Sequence, residues 1–477
     1  MTRIALCLAF VVLPLRGHVG SPDVFYEGNA GPYRLLITIR PPQVVPGVAD
    51  IEIRSTSPDV RQVRIVPLRL GFRGAQFAPV PDTAKPSRED PQFYTGVLWL
   101  MQTGSWQVRV DVDGAQGPGH VAVPVPALAT RVASMQTLVA AILIPLGLVL
   151  CLGLVSIVGA AVRDAMLEPG KQPDEARVRR SRIVMLTTAV LVGFAVWAGN
   201  NWWSAEAGGY SRIIYKPLRL KATVEDGSRL ALELENPGWL NRSTDDLVPD
   251  HNHLMHLYVI HVPEMDLVWH LHPERGPDGN FTQSLPAMPG GHYALYGDVV
   301  HAIGIGETAV GEIEVPNIAG NPLTGDDAAG AGPPLANADY SRATSPLPHG
   351  YRMVWDRGTG KLQAKRLSEF RFRLEDPDGK PATDVELYMG MLGHAAFVAD
   401  DRSVFAHVHP SGSAPMPAIA LAQPDNPHAG HTMTQSGLPA EAAFPYGFPK
   451  AGHYRIFVQM KRAGEISTGI FDANVEP

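Results

Sequence analysis

Two long apolar runs most constrain this chain. Residues 132–162 carry no charge, and 138–162 are almost wholly apolar. A second run, 183–203, ends in Trp202-Trp203. Each reaches the ~20 residues that a bilayer-crossing helix needs. Paired tryptophans at the end of such a run suit the headgroup layer. The stretch between them, 163–182, holds six Lys/Arg, among them Arg177, Arg179, Arg180 and Arg182. Basic residues stay on the cytoplasmic side. The reading is a transmembrane helix at 132–162, a cytoplasmic loop at 163–182 and a second transmembrane helix at 183–203. The chain starts Met1-Thr-Arg3 and continues into a short apolar run over 4–13. That pattern predicts a signal peptide over 1–21. Both signals put the remaining sequence outside the cytoplasm. The expected location is the bacterial inner (plasma) membrane, with soluble domains facing the periplasm or exterior.

The soluble parts read as β structure. Apolar and polar residues alternate in Leu35-Leu-Ile-Thr-Ile39, Leu230-Ala-Leu-Glu-Leu234 and Phe370-Arg-Phe-Arg-Leu374, and alternation is the strand signal. The 47 Gly and 43 Pro suit a turn-rich fold. A repeat also appears. Gly104-Ser-Trp-Gln-Val-Arg-Val110, Gly291-His-Tyr-Ala-Leu-Tyr296 and Gly452-His-Tyr-Arg-Ile-Phe-Val458 each precede a further strand-like segment. Each reads as the closing hairpin of an immunoglobulin-like sandwich. The predicted fold is mainly β: three immunoglobulin-like β-sandwich domains, at 22–127, 210–318 and 346–477, plus the two transmembrane α-helices. Residues 319–345, rich in Ala, Gly, Pro and Asp, read as a linker. A net charge of −7 argues against a nucleic-acid partner. The two cysteines, Cys7 and Cys151, both sit in apolar stretches. Thiol chemistry is therefore excluded from the polar domains.

Histidine is unevenly spread. Of 17, only His18 and His120 precede residue 250. The second domain reads His253-Leu-Met255-His256, then His270-Leu-His272-Pro273. The third reads His394, then His407-Val-His409-Pro410. The shared pattern is His, 13 or 12 residues, His-x-His-Pro. Residues i and i+2 of a strand share a face, so His270 pairs with His272 and His407 with His409. A hairpin partner would set His256 and His394 beside them. Each domain then offers three imidazoles on one face, a set that suits copper or zinc. The competing reading is a row of structural histidines hydrogen-bonded to backbone or loop carboxylates. A loop in the third domain adds Pro427-His428-Ala-Gly-His431-Thr-Met433. Its thioether would favour copper(I), and the whole insert 411–451 reads as irregular and mobile. His251 and His253 read as solvated loop residues. His292 and His453 read as turn caps or fourth ligands.

The third domain resembles a YtkA-like domain, from Tyr388-Met-Gly-Met-Leu-Gly-His394 through His407-Val-His409-Pro410 to Gly452-His-Tyr-Arg-Ile-Phe-Val-Gln459. The YtkA-like group is related to FixH-like envelope proteins. The second domain is a diverged match through Met255-His256 and His270-Leu-His272-Pro273. The resemblance implies an immunoglobulin-like fold, an envelope location, and copper handling or oxidase assembly. There is no Gly-x-Ser-x-Gly, phosphate loop or His-Glu-x-x-His, so the expectation is a non-catalytic protein. The expected function is extracytoplasmic metal binding, with copper ahead of zinc as the ion. The alternative is a metal-free scaffold or assembly factor for an envelope complex such as a respiratory oxidase.

Overall fold

The computed structural model describes residues 23–71, 78–133, 135–240, 242–358, 360–425 and 437–477. The predicted signal peptide lies outside them, as do His428, His431 and Met433. The chain divides into two units: Met1–Leu128 with Tyr215–Pro477, and Ala129–Ile214.

The smaller unit is a helical hairpin. Helix α1 spans Thr137–Asp164 and α2 spans Glu175–Ser211. Both are long and apolar enough to cross a membrane. Leu150, Phe194 and Trp197 are exposed on them. The link between the helices is shorter than expected. Asp174 caps α2 by accepting from the Arg177 backbone N–H at 2.7 Å, a standard start signal. Arg177 to Arg182 therefore form the first turns of α2 rather than a loop. The helices meet where side chains are small. Ser181 Oγ donates to the Gly159 carbonyl at 2.7 Å, and a Cβ at Gly159 would lie 2.3 Å from Met185.

Among the described residues, the larger unit is β apart from short helical turns. All three closing hairpins form. Gly104–Gly114 pairs with Gly117–Ala127, Gly291–His301 with Gly306–Val315, and Gly452–Arg462 with Glu465–Glu476. The first domain is one eight-stranded sheet path, the second a ten-stranded sheet, and the third sheets of four and six strands.

The decisive packing lies between the second and third domains. In strand His256–His261, Leu257 and Val259 face the second domain's own core. Tyr258 and Ile260 face the other way and share a core with Ala396, Val398, Phe405, Phe457 and Ile470 of the third. Strand His394–Ala399 mirrors this, with Ala395 and Phe397 in its own core. Tyr296 stacks on Phe405 at 4.4 Å. Arg455, fully buried, pairs with Asp472 at 2.8 Å and donates to the Met265 and Pro333 carbonyls across the interface.

Two expectations are corrected here. Residues 319–345 are not a free linker, because Ala328–Ala331 adds a strand to Leu267–Leu271. The insert 411–451 is not wholly irregular. Helix α3, Met416–Ala422, buries Met416, Ala418, Ile419 and Ala422. Strand Glu441–Tyr446 pairs with Ser368–Glu375.

Candidate metal centre

The alternation that builds the interdomain core also places the histidines. His256 precedes Tyr258 and Ile260 on the outward face of its strand. His270 follows Val268 on the next strand, where Trp269 and Leu271 point inward. His394 and His407 hold the matching places in the third domain. The two rows therefore face each other and form one cluster.

Within it, His256, His270 and His272 bring one nitrogen each within 4.8 Å of one another. Their hydrogen bonds fix the tautomers. His256 Nε2 donates to the Asp250 carbonyl at 3.0 Å. His270 Nδ1 donates to Gln459 Oε1 at 2.8 Å. The orientation of Gln459 is set in turn, because its amide donates to Thr468 Oγ1, which donates to the Ala329 carbonyl. His272 Nδ1 donates to Asp327 at 3.0 Å. Each neutral ring thus keeps its lone pair on the other nitrogen. The lone pairs of His256 Nδ1 and His270 Nε2 face each other at 3.2 Å. Two facing lone pairs repel unless a cation lies between them. Imidazoles held through their second nitrogen by an oxygen acceptor are the usual surroundings of a metal ligand.

The second group is His251, His394 and His409, again within 4.8 Å. His251 Nδ1 donates to the Met389 carbonyl at 2.7 Å. Among the described residues, both ring nitrogens of His394 and of His409 are buried without a hydrogen-bond partner. Burial first, then the charge of neighbouring rings, holds His256, His270, His272, His394 and His409 well below the usual imidazole range. All five are neutral at pH 7. Burial likewise pushes the Asp250 carboxyl up to about 6, against the opposing charge of His407.

The grouping differs from the sequence reading. Two separate trios, one per domain, were expected. His407 belongs to neither group. Its Nδ1 faces Asp298 at 3.3 Å, and its ring lies between the two groups. His251 replaces it beside His394 and His409. His251 and His253 are not solvated loop residues: the His251 side chain is inaccessible, and the His253 ring lies 4.0 Å from His272. Asp327 and Gln459, partners of the rings, went unnoticed as well. His292 lies apart, between Glu312 and Glu314, and His453 stacks on Tyr340.

Fold and site together define a class: a β-rich chain with two membrane-length helices and a buried histidine cluster between two β domains. Residues 347–477 match a family described as a domain of unknown function, DUF8832. No curated protein matches the chain. Similar solved structures include a biofilm associated protein domain, 9% identical, with 97% of this chain and 68% of that one covered and a TM-score of 0.16. Another is alpha-2-macroglobulin from Salmonella, 8% identical, with 98% and 24% covered and a TM-score of 0.20. Scores this low support no argument about fold or role.

Proposed function

We propose that this is a membrane-anchored protein whose second and third β domains hold a transition-metal ion in the interdomain histidine cluster, in a binding rather than a catalytic role. One observation carries the reading: His256, His270 and His272 turn tautomer-fixed lone pairs toward one another in a buried place. Imidazole nitrogen suits copper(II) and zinc. Copper(II) binds such a site more tightly than the other divalent ions of its row, so copper handling is the role proposed. The β domains lie outside the cytoplasm in this reading, which the basic residues at the start of α2 support. The kinship with YtkA-like domains is part of the same proposal and rests on the His-x-His-Pro frame.

The test is metal analysis of the full chain, purified in detergent after exposure to copper(II) or zinc. Bound ion is expected, and His270→Gln with His272→Asn should abolish it while the β signal in circular dichroism persists. A wild-type protein that holds no ion, with variants that only melt earlier, would establish the metal-free scaffold instead. Orientation is read by an impermeant maleimide on intact cells, in a cysteine-free parent. Asp378→Cys should react and Lys171→Cys should not; equal labelling would refute the arrangement.

A further inference from the structure

The function proposed above needs one ion. The geometry points to two: we infer that the histidine cluster is a dinuclear centre, with one ion at His256, His270 and His272 and a second at His251, His394 and His409. This inference rests on the metal-binding reading and extends it.

The second group has the shape of a site. Its ring centroids lie 5.0, 4.8 and 4.9 Å apart, an even triangle around a common point. The Met389 carbonyl accepts the hydrogen bond of His251 Nδ1–H, so that ring's lone pair is on Nε2. His394 and His409 are 0% and 3% exposed, and among the described residues neither nitrogen of either ring has a partner. Buried polar groups are normally satisfied, and a bare one calls for a guest such as an ion or ordered water.

The two groups are neighbours. His256 lies 6.2 Å from His251 and 6.4 Å from His394, centroid to centroid. His407 stands between them, 5.3 Å from His256 and 4.6 Å from His409. It is placed as the added ligand for either ion. The carboxylates of Asp250 and Asp298 border the cluster and would offset two of the four positive charges of a copper(II) pair.

The two ions differ in what they hold together. The first is bound by one domain. The second takes His251 from the second domain and His394 and His409 from the third, so its binding free energy is also docking free energy between them.

The experiment titrates the chelator-stripped full chain in detergent with copper(II) alone, following stoichiometry and electron paramagnetic resonance. Two equivalents are expected, the second weakening the resonance of the first through magnetic coupling. His409→Asn should bind one equivalent with an uncoupled spectrum, and His394→Gln should do the same. One equivalent in the wild type, lost in His272→Asn and kept in His409→Asn, overturns the pair and leaves the metal-binding reading intact. No equivalent in any form overturns both. A second equivalent that survives both third-domain variants sits elsewhere and overturns the pair. Two uncoupled equivalents in the wild type do likewise. If a variant misfolds, the wild-type spectrum still decides.

Discussion

Gln459 has no metal chemistry of its own, yet it sets the chemistry of His270. Its amide is pinned by Thr468, so its oxygen must receive the His270 Nδ1 proton. Gln459→Leu removes that acceptor in a fully buried place. The Tyr388 hydroxyl oxygen, farther away at 3.3 Å, is then left to hold Nδ1, so the ring is less firmly set in this tautomer and its lone pair less firmly aimed at the site. Loss of such an outer partner weakens metal binding roughly 10–100-fold. Copper(II) titration of Gln459→Leu should show that loss with the β fold intact; unchanged affinity would mean the tautomer argument is wrong. Gln459 shows what the sequence withheld. Strand parity set His270 beside His272 and His407 beside His409 on shared faces, because the period of two is local, although His407 joins neither trio. The partners are not local: Gln459 is 189 residues from His270 and Asp327 is 55 from His272. His251 was missed for the same reason, since its neighbours come from another domain.

At the scale of elements, the strands themselves carry the sign of a second packed face. Leu257 to Ile260 and Ala395 to Val398 are unbroken apolar runs. A strand with one wet face alternates, whereas a strand covered on both faces does not. The runs meant that something packs on the outer face, and that something is the other domain. The hairpins were legible from Gly-x-aromatic repeats because turns are set by neighbours in sequence. The strand Ala328–Ala331 was not, since its Ala/Gly composition gains its meaning only beside Leu267–Leu271. A similar dependence governs the turn after His409. Gly412 exchanges both backbone hydrogen bonds with His409 and has φ +117°. A Cβ there would lie 2.0 Å from the Phe25 carbonyl of the first domain. Gly412→Ala must push that strand away, lose the Glu27 to Ser411 hydrogen bond, and shift His409. The expected result is destabilisation of about 1–3 kcal/mol, together with weaker binding of the second copper equivalent. Retention of both would show that the first domain plays no part in supporting His409.

For the molecule as a whole, the cluster makes docking of the second and third domains depend on pH. Five rings have their imidazole pKa lowered in the folded state, by burial first and by neighbouring charge second. In the unfolded chain they titrate near the ordinary ~6.5. Below that pH the unfolded state binds more protons than the folded one, so stability falls as pH falls. The full contribution is present above ~6.5, and its loss ends only below the depressed folded values. Each such ring contributes a slope of up to about 1.4 kcal/mol per pH unit. His301 runs the other way. Burial lowers its pKa, but Glu307 and Asp246 outweigh burial and raise it. Its contribution is present below ~6.5 and fades as pH rises through its folded value. Asp250, pushed up to about 6 by burial, and Asp327, also raised by burial, oppose the rings too, because their folded forms take up the proton first. Within the cluster and its border, five rings against these three groups leave a net acid lability. Metal-free protein should therefore lose stability steeply from pH 7 to pH 5 in denaturant titrations. Copper(II) should raise stability at pH 7, because an ion that binds only the folded state adds its binding free energy. That added stability should shrink toward pH 5 as protons compete for the same lone pairs. Replacing His270 and His394 together by Phe should make the acid slope shallower, since two of the five rings are gone, and remove the copper effect. A flat metal-free profile in the wild type would mean that the rings are solvated and titrate normally, and the buried cluster would have to be abandoned.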